Sequence, residues 1–463
     1  MGLKSDKYGV KSQLKIRYKE AFKEFSTLVD ARDASLVSRK ESFTVIDGNV
    51  LMMSVPQSAR KLEDYVAILT SMLKKTVATS KVTTVVYDDP DCLTVAKKQE
   101  QKRRDDARKS TQVVSSFDLK SSLPEDDDYL TQDMECLPDV HVLVHNRCTR
   151  LRFFDEVSMR VFRNLTNQIE RWKVDGFEGG CIMLDGIDPR GGSRPCGHPR
   201  SAQFVSSLES MKQVFERDVP IGEGDLKLAY VGRRARHLSM QDNEVFKDIK
   251  LSMCVTIDTD SFAIELLEEA KRLKERADPS KKQFNTLLCM RERARKRGMD
   301  DDKEATYLCC DISMLYKLLQ DHMWGFSRAP SVDDRHASMT LMCIGWAMGG
   351  CDFMCLKGLR SDVVFDCIPL IVNTMPSVIE QMKLAFTGNR ADALLLKSPL
   401  VELSKTCASR LCEMPRNVRL DISSIRHPDD IILSRACWLS CYWNGIEHKE
   451  NMGEFGFFTP SSL

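Results

Sequence analysis

Seven acidic residues stand where the sequence pattern indicates that a strand ends or a helix begins. Two of them, Asp258 and Asp260, directly follow the apolar run 251–257 and are separated by one residue. Carboxylates that are brought together repel each other, and keeping them ionised usually requires a bound cation. An Asp-x-Asp pair taken alone is more often a turn or a helix cap, so this simpler interpretation stays open. The other five acids are Asp47, Asp88, Glu223, Asp225 and Asp352.

The chemistry of this set is that of a hard cation, because every candidate ligand is a carboxylate. Mg²⁺ prefers oxygen ligands and keeps several of its waters, which suits a site that handles phosphate esters. Two such ions about 3.5–4 Å apart would activate a water molecule and stabilise the leaving oxygen of a phosphodiester. The sequence therefore favours a site for two Mg²⁺ ions, for which Mn²⁺ can substitute.

Other kinds of site find less support in the sequence. Cys181, Cys196 and His198 lie in one Gly- and Pro-rich stretch. Without a Cys-x-x-Cys pair, scattered thiols are a better interpretation of them than zinc ligands. No Ser/His/Asp set stands out, and the glycines near Gly191 lack the Lys-Ser/Thr ending of a phosphate-binding loop. The carboxylates therefore stay the main candidate.

Strand and helix patterns place these acids at one edge of a sheet. The runs 42–47, 81–88 and 253–257 are short, apolar and rich in β-branched residues, which predicts buried strands. Helical patterns over 59–75 and 155–172 lie between them, in the βαβ order of a parallel sheet. Ligand sites of α/β proteins lie at the carboxyl ends of such strands, where the acids stand. We therefore predict an α/β fold.

The rest of the chain is predicted in coarser terms. Residues 11–25 have a helical pattern, residues 176–200 are predicted to form a loop, and residues 363–463 are largely helical in pattern. Two runs, 97–109 and 271–297, are strongly basic. Such runs are typical of solvated helix faces and linkers, and they also contact nucleic acid.

Length and composition indicate an ordinary globular protein. The 463 residues are enough for two or three domains, and 42% of them are hydrophobic. The 17 cysteines lack the spacing of a disulfide framework, and the amino terminus lacks a signal-peptide pattern. Both observations favour an intracellular, reducing compartment. No apolar run reaches the about 20 residues of a membrane helix, so no membrane partner is expected.

The order of the acidic motifs resembles the flap-endonuclease (XPG-like, PIN-like) superfamily, which includes the XRN 5′-exonucleases and relatives in poxviruses and herpesviruses. The resemblance covers residues 1–360, and its loose spacing with long insertions is most similar to DNA-virus members. It implies a PIN/FEN-like central sheet that is mixed, mostly parallel and flanked by helices. The motifs are Ile-Asp47-Gly, Val-Tyr-Asp88, Gly-Glu223-Gly-Asp225, Ile-Asp258-Thr-Asp260 and Gly-Gly-Cys-Asp352-Phe.

The resemblance also implies a domain division. Residues 1–360 would form the nuclease domain, with insertions near 105–140, 176–200 and 271–303. Residues 361–463 would form a mostly helical carboxyl-terminal region. The ligands of the first metal ion would be Asp47, Asp88, Glu223 and Asp225, and those that complete the second would be Asp258, Asp260 and Asp352.

Basic residues gain a role from the same resemblance. In the family, the helix after the second acidic strand carries a Lys and an Arg that reach the scissile phosphate, and Lys97 with Arg104 match their spacing. These two side chains would stabilise the charge that grows on the phosphate in the transition state. The expected nucleic-acid contacts are Lys98, Arg103, Arg108, Lys281 and Lys282.

The expected activity is Mg²⁺-dependent hydrolysis of DNA at a 5′ flap or junction, or as a 5′-exonuclease, in replication, repair or recombination. DNA is favoured over RNA as the partner, replication proteins are further expected partners, and the nucleus is favoured over the cytoplasm. Three alternatives stay open. They are an RNA-cleaving nuclease of the same fold (host-shutoff or XRN type), a scaffold that binds nucleic acid without cutting it, and an α/β protein whose aspartates only form turns.

Overall fold

The computed structural model describes residues 9–52, 54–55, 62–87, 147–184, 202–206, 224–241, 243–275, 284–292, 306–325, 330–351, 354–386, 393–414 and 422–444. The chain divides into two compact units. The first unit spans Arg32–Val255, and the second combines Met1–Ala31 with Thr256–Thr459. Strands and helices alternate along the described parts, so the predicted α/β class is confirmed.

The strands are β1 (Phe22–Phe25), β2 (Ser42–Asp47), β3 (Val82–Val86), β4 (Gly180–Leu184), β5 (Ala202–Ser206), β6 (Leu251–Thr256), β7 (Asn285–Glu292) and β8 (Thr306–Asp311). The first seven helices are α1 (Val10–Arg17), α2 (Leu28–Ala34), α3 (Gly48–Met52), α4 (Leu62–Thr79), α5 (Arg147–Val174), α6 (Gly224–Met240) and α7 (Asp260–Glu275). Those that follow are α8 (Ile312–Trp324), α9 (Val332–Gly349), α10 (Ser361–Thr374), α11 (Pro376–Ala385), α12 (Ala393–Glu413), α13 (Ile422–Arg426) and α14 (Asp430–Trp443).

A mixed sheet forms the centre of the first unit. Its strands lie side by side in the order β6-β2-β3-β4-β5. β2 pairs in parallel with both β3 and β6, β4 is parallel to β3, and β5 is antiparallel to β4. β2, β3 and β6 are buried along their whole length, as expected of parallel strands that are covered on both faces. The three predicted strands are therefore confirmed in their described parts.

Two long helices of the first unit, α4 and α5, pack against each other. The amide of Asn164 donates a hydrogen bond to the Thr70 hydroxyl oxygen, at 3.4 Å, across this contact. The buried side chains of α5 recur every fourth residue and therefore form one apolar stripe along the helix. They are the four residues that the helical pattern predicted, namely Val157, Val161, Leu165 and Ile169.

The second unit is built around a buried helix. Almost every residue of α9 from His336 to Gly349 is buried, and α7, α10, α11 and α14 all pack against it. Its strands lie in the order β1-β8-β7, with β8 antiparallel to both neighbours. Among the described residues no single helix is long and apolar enough to cross a membrane. Only α10 and α11 together, bent by 97°, pass that test of length and composition.

Helix α7 carries several of its charged residues inside the second unit, among them Glu268, Glu269 and Arg272. The Arg272 guanidinium donates to the Glu269 carboxylate at 2.6 Å, and the Lys271 ammonium lies 3.2 Å from the Glu268 carboxylate. Lys271 also donates to the carbonyl of Asn444, directly after α14. These charges are tolerated in the interior because each is paired within hydrogen-bonding distance.

Two local predictions are wrong where a strand replaces the expected element. The helical pattern 11–25 ends as α1 at Arg17, and its last residues form β1. The predicted loop 176–200 contains β4. β7 lies within the stretch 271–303, where the resemblance implies an insertion. Each of these strands takes its hydrogen bonds from a partner far away in the chain or from a hairpin neighbour, which local patterns do not reveal.

Truncation of the α5 stripe tests the packing of the first unit. Ile169 is 0% exposed, so Ile169→Ala should leave a cavity and lower the free energy of unfolding. We expect a loss of about 2–5 kcal/mol. Val174 lies on the same helix and is 87% exposed, so Val174→Ala should stay within about 0.5 kcal/mol of the wild type. Urea unfolding measures the free energy of unfolding of both variants, and an equal decrease in the two would contradict this packing.

Protonation of His336 should destabilise the second unit. Burial, together with the charges of Lys271 and Lys274, lowers the pKa of His336 from 6.5 to about 4, although its 2.8 Å hydrogen bond to the Asn444 amide oxygen opposes the shift. The pKa of His336 is lower in the folded protein than in the unfolded one. The free energy of unfolding therefore has its full value above pH 6.5, as far as His336 is concerned, and falls as the pH drops toward 4. Urea unfolding at a series of pH values measures this effect. Between pH 6.5 and 4, the free energy of unfolding of His336→Gln should fall less than that of the wild type, by up to about 3 kcal/mol. An identical pH dependence in both proteins would contradict the assignment.

Candidate functional site

The carboxyl ends of three parallel strands lie at one edge of the first unit. Asp47, the last residue of β2, is level with Val86 of β3, and Ile46 is level with Val255 of β6. The Asp47 side chain is 9% exposed, so its carboxylate lies at the boundary between the interior and solvent. We call this feature the carboxyl edge. It is where open α/β sheets bind their ligands.

Tyr87 closes the carboxyl edge from the β3 side. Its ring lies so close to Gly48, the residue after Asp47, that a Cβ atom at position 48 would stand 2.2 Å from its Cε1 atom. The Tyr87 hydroxyl is 3.4 Å from the hydroxyl of Ser158 on α5. Burial raises the pKa of Tyr87 well above its ordinary value, and the charge of Asp47 acts in the same direction. The phenol is therefore a neutral packing group beside a carboxylate.

Helix α6 brings a buried lysine to the same edge. The Lys227 side chain is 0% exposed, and its ammonium donates a 2.7 Å hydrogen bond to the carbonyl oxygen of Tyr87. At the other end of α6, the Ser239 hydroxyl donates to the carbonyl of Ile249, just before β6, at 2.9 Å. The helix thus runs antiparallel to β6, and its first turn, which includes Asp225, lies at the carboxyl edge.

Three residues of this edge were not predicted from the sequence. Gly48 and Tyr87 are neighbours of Asp47 and Asp88 within the motifs, but no role was predicted for either, and Lys227 belongs to no motif. Each matters through its position beside a strand end. One signal was available for Lys227, because a lysine two residues after Asp225 interrupts an otherwise apolar helix face next to a predicted ligand. A buried cation at such a place indicates nearby anions or carbonyl groups.

Asp258 and Asp260 begin helix α7 of the second unit. The backbone N–H of Asp260 donates to the Asp258 carboxylate at 3.2 Å, and the N–H of Asp258 donates to the Thr256 hydroxyl oxygen at 3.0 Å. Asp260 is buried in the first turn. The turn interpretation is therefore confirmed for Asp258. A carboxylate that accepts one such hydrogen bond still has acceptor positions left, so this role does not exclude metal binding.

Most predicted site residues lie outside the described part of the chain. For Asp225 only the backbone is described, so three of the seven predicted ligands have described side chains: Asp47, Asp258 and Asp260. Within the described residues, no group of three or more His, Cys, Asp or Glu side chains could hold a metal ion. The undescribed predictions are the acids Asp88, Glu223 and Asp352, the basic residues Lys97, Arg104, Lys98, Arg103 and Arg108, and Lys281 with Lys282.

The basic run 271–297 is only partly described, and the basic residues at its described start are ion-paired. Lys271 and Arg272 are paired with acids of their own helix, and Lys274 pairs with Asp333 at 2.8 Å.

No family model matches the sequence, and no curated protein matches it either. The class that the structure defines is therefore an α/β protein with a mixed sheet and an acidic residue at its carboxyl edge.

The contact between Gly48 and Tyr87 gives a direct test of the carboxyl edge. Gly48→Ala forces the ring or the start of α3 to move, so we expect the free energy of unfolding to fall by about 1–3 kcal/mol. Gly232→Ala on α6 is the matched control, because the nearest atom to its Cβ would be 3.9 Å away. This control should be neutral, or stabilising by up to about 1 kcal/mol. Urea unfolding compares the two, and similar losses would mean that the ring does not fill the space above Gly48.

Proposed function

We propose that the chain is a divalent-metal-dependent nuclease that hydrolyses phosphodiester bonds of DNA, from a 5′ end or at a branched junction. The observation that supports the proposal best is the carboxyl edge of the first unit. There the Asp47 carboxylate ends β2, and the Lys227 hydrogen bond holds the first turn of α6 against the end of β3. The end of β2, the end of β3 and the first turn of α6 thereby lie at one edge, and the proposed ligands Asp47, Asp88 and Asp225 belong to these elements or directly follow them in the sequence.

The donor chemistry of these residues fits Mg²⁺. All seven predicted ligands are carboxylates, and oxygen-only sets are selective for hard cations. When bound, two Mg²⁺ ions would supply an activated water and charge stabilisation for phosphodiester hydrolysis. In the chain, Asp47 would be a ligand from β2, and Asp258 and Asp260 would be ligands from the segment that follows β6.

The basic residues would act on the substrate. Lys97 would place a point charge, and Arg104 a bidentate clamp, on the phosphate whose charge grows during the reaction. Lys98, Arg103 and Arg108 would contact the nucleic-acid backbone and so make binding dependent on salt. These assignments rest on the order of the motifs in the sequence.

Cleavage assays decide the substrate class. The full chain is incubated with end-labelled flap, nicked, duplex and single-stranded DNA and with RNA, each with Mg²⁺, with Mn²⁺ and with EDTA. We expect metal-dependent cleavage of DNA that requires a 5′ end or a junction. Faster cleavage of RNA would favour the host-shutoff or XRN type of activity. Binding without cleavage under every metal condition would contradict the nuclease and leave the scaffold.

Asp258→Asn separates the capping role from the proposed ligand role. The asparagine side-chain oxygen can still accept the hydrogen bond of the Asp260 N–H, so the start of α7 and the melting temperature should be preserved. The loss of the negative charge should lower the rate of DNA cleavage by at least about 10²-fold, because a metal ligand is weakened. Binding of DNA, measured by fluorescence anisotropy, should stay within a few-fold of the wild type.

Asp311→Asn is the matched control for Asp258→Asn. Asp311 also ends a strand, and its carboxylate accepts the Met314 N–H at 2.9 Å as the cap of α8, but it is not among the predicted ligands. Its substitution should leave cleavage unchanged. Full activity in Asp258→Asn, or equal loss in both variants, would remove Asp258 from the proposed site.

A further inference from the structure

We propose that Lys227 is a positioning residue, an internal cation that keeps the carboxyl edge assembled before any metal ion is bound. The role in the metal-free protein follows from the geometry of the first unit, and only its consequence for metal binding rests on the proposed function. Lys227 belongs to neither the motif set nor the basic runs of the sequence.

Burial makes an uncompensated charge at Lys227 untenable. The side chain is 0% exposed, and a buried ammonium needs acceptors or anions within reach. One acceptor is the carbonyl oxygen of Tyr87 at 2.7 Å. A neutral carbonyl accepts a hydrogen bond but carries no net charge, and the carboxylates of this edge can supply the negative charge that balances the ammonium.

The position of Tyr87 brings the ammonium close to those carboxylates. Tyr87 follows Val86, which is level with Asp47 on the neighbouring strand, and strands in a sheet are about 4.8 Å apart. Asp47 is close enough to act electrostatically on Tyr87. Asp88 is the next residue in the chain, and Asp225 is two residues before Lys227 in the first turn of α6. The ammonium is therefore held beside the strand end at which Asp47 lies.

The effect of Lys227 on stability should differ between the metal-free and the metal-loaded protein. Without metal, the carboxylates of the edge repel each other, and the ammonium offsets this repulsion while its hydrogen bond fixes the end of β3. With divalent cations bound, the carboxylates are already neutralised, and the lysine charge contributes less. A lysine that only filled space would contribute equally in both states.

The first experiment compares melting temperatures of the full chain in EDTA and in saturating Mn²⁺. Lys227→Met keeps the length of the side chain and removes its charge and donors. It should lower the melting temperature by several degrees in EDTA and by clearly less in Mn²⁺, so the metal-induced shift becomes larger than in the wild type. In a protein that binds Mn²⁺, equal losses in the two conditions, or a larger loss in Mn²⁺, would overturn the proposal.

Lys250→Met is the matched control for this comparison. Lys250 lies at the opposite, amino edge of the same sheet, where its ammonium pairs with Glu41. Its substitution removes one lysine charge from the first unit without touching the carboxyl edge. Its metal-induced shift should equal that of the wild type. A change as large as that of Lys227→Met would mean that any loss of positive charge has this effect, which would also overturn the proposal.

The second experiment needs no metal and couples Lys227 to Asp47. In EDTA, Asp47→Asn should be more favourable for stability in the Lys227→Met protein than in the wild type. In the Lys227→Met protein it removes a negative charge that has lost its positive counter-charge. Additive effects would overturn the proposal. If Lys227→Met alone does not fold, the double variant decides: recovery of a cooperative melting transition supports the charge balance, and continued failure to fold overturns it.

These two experiments separate the inference from the proposed nuclease. Mn²⁺ binding to the wild type is measured by electron paramagnetic resonance. Coupling between Lys227 and Asp47 in a wild type that binds no Mn²⁺ would support the internal cation and contradict the nuclease. Mn²⁺-dependent cleavage without that coupling would support the nuclease and overturn the role of Lys227.

Discussion

The parallel pairing of β2 with both of its neighbours is the constraint on which the candidate site depends. Parallel strands end on the same side, so the register that sets Asp47 level with Val86, and Ile46 level with Val255, brings the carboxyl ends of β2, β3 and β6 to one edge. Strands in this arrangement are buried on both faces, as β2, β3 and β6 are. An antiparallel arrangement of the same strands would have dispersed the acids to opposite ends of the sheet.

Both units contain a buried cationic side chain with a partner at hydrogen-bonding distance, but the partners differ in kind. Arg272 is paired with the Glu269 carboxylate in the second unit, whereas Lys227 donates to the neutral carbonyl of Tyr87 in the first. Replacing one partner of a buried ion pair leaves the other uncompensated in a medium of low dielectric constant, which costs about 3–5 kcal/mol. The two cases differ in location, because Arg272 lies within a helix pair and Lys227 lies beside the ends of parallel strands.

Strand-end aspartates in this protein have a structural role that does not depend on any ligand. Asp258 and Asp311 both accept a backbone N–H at the start of the following helix, although only Asp258 is among the predicted ligands. Capping uses one of the several acceptor positions of a carboxylate, so cap and ligand are compatible roles. What distinguishes the candidate site is therefore the gathering of elements at one edge rather than the geometry of any single aspartate.

The sequence by itself determined the three buried strands β2, β3 and β6, the stripe of α5 and the acidic residues after the strands, because these depend on local periodicity and residue type. It did not determine β1, β4 or β7, since a strand exists only when a partner supplies its hydrogen bonds, and β1 takes its bonds from residues about 285 positions away. Nor did it place the charges of α7 in the interior or bring Lys227 to Tyr87, 140 residues distant. Such contacts join segments that share no local signal, and only tertiary packing, which removes water from both groups at once, decides which charges meet.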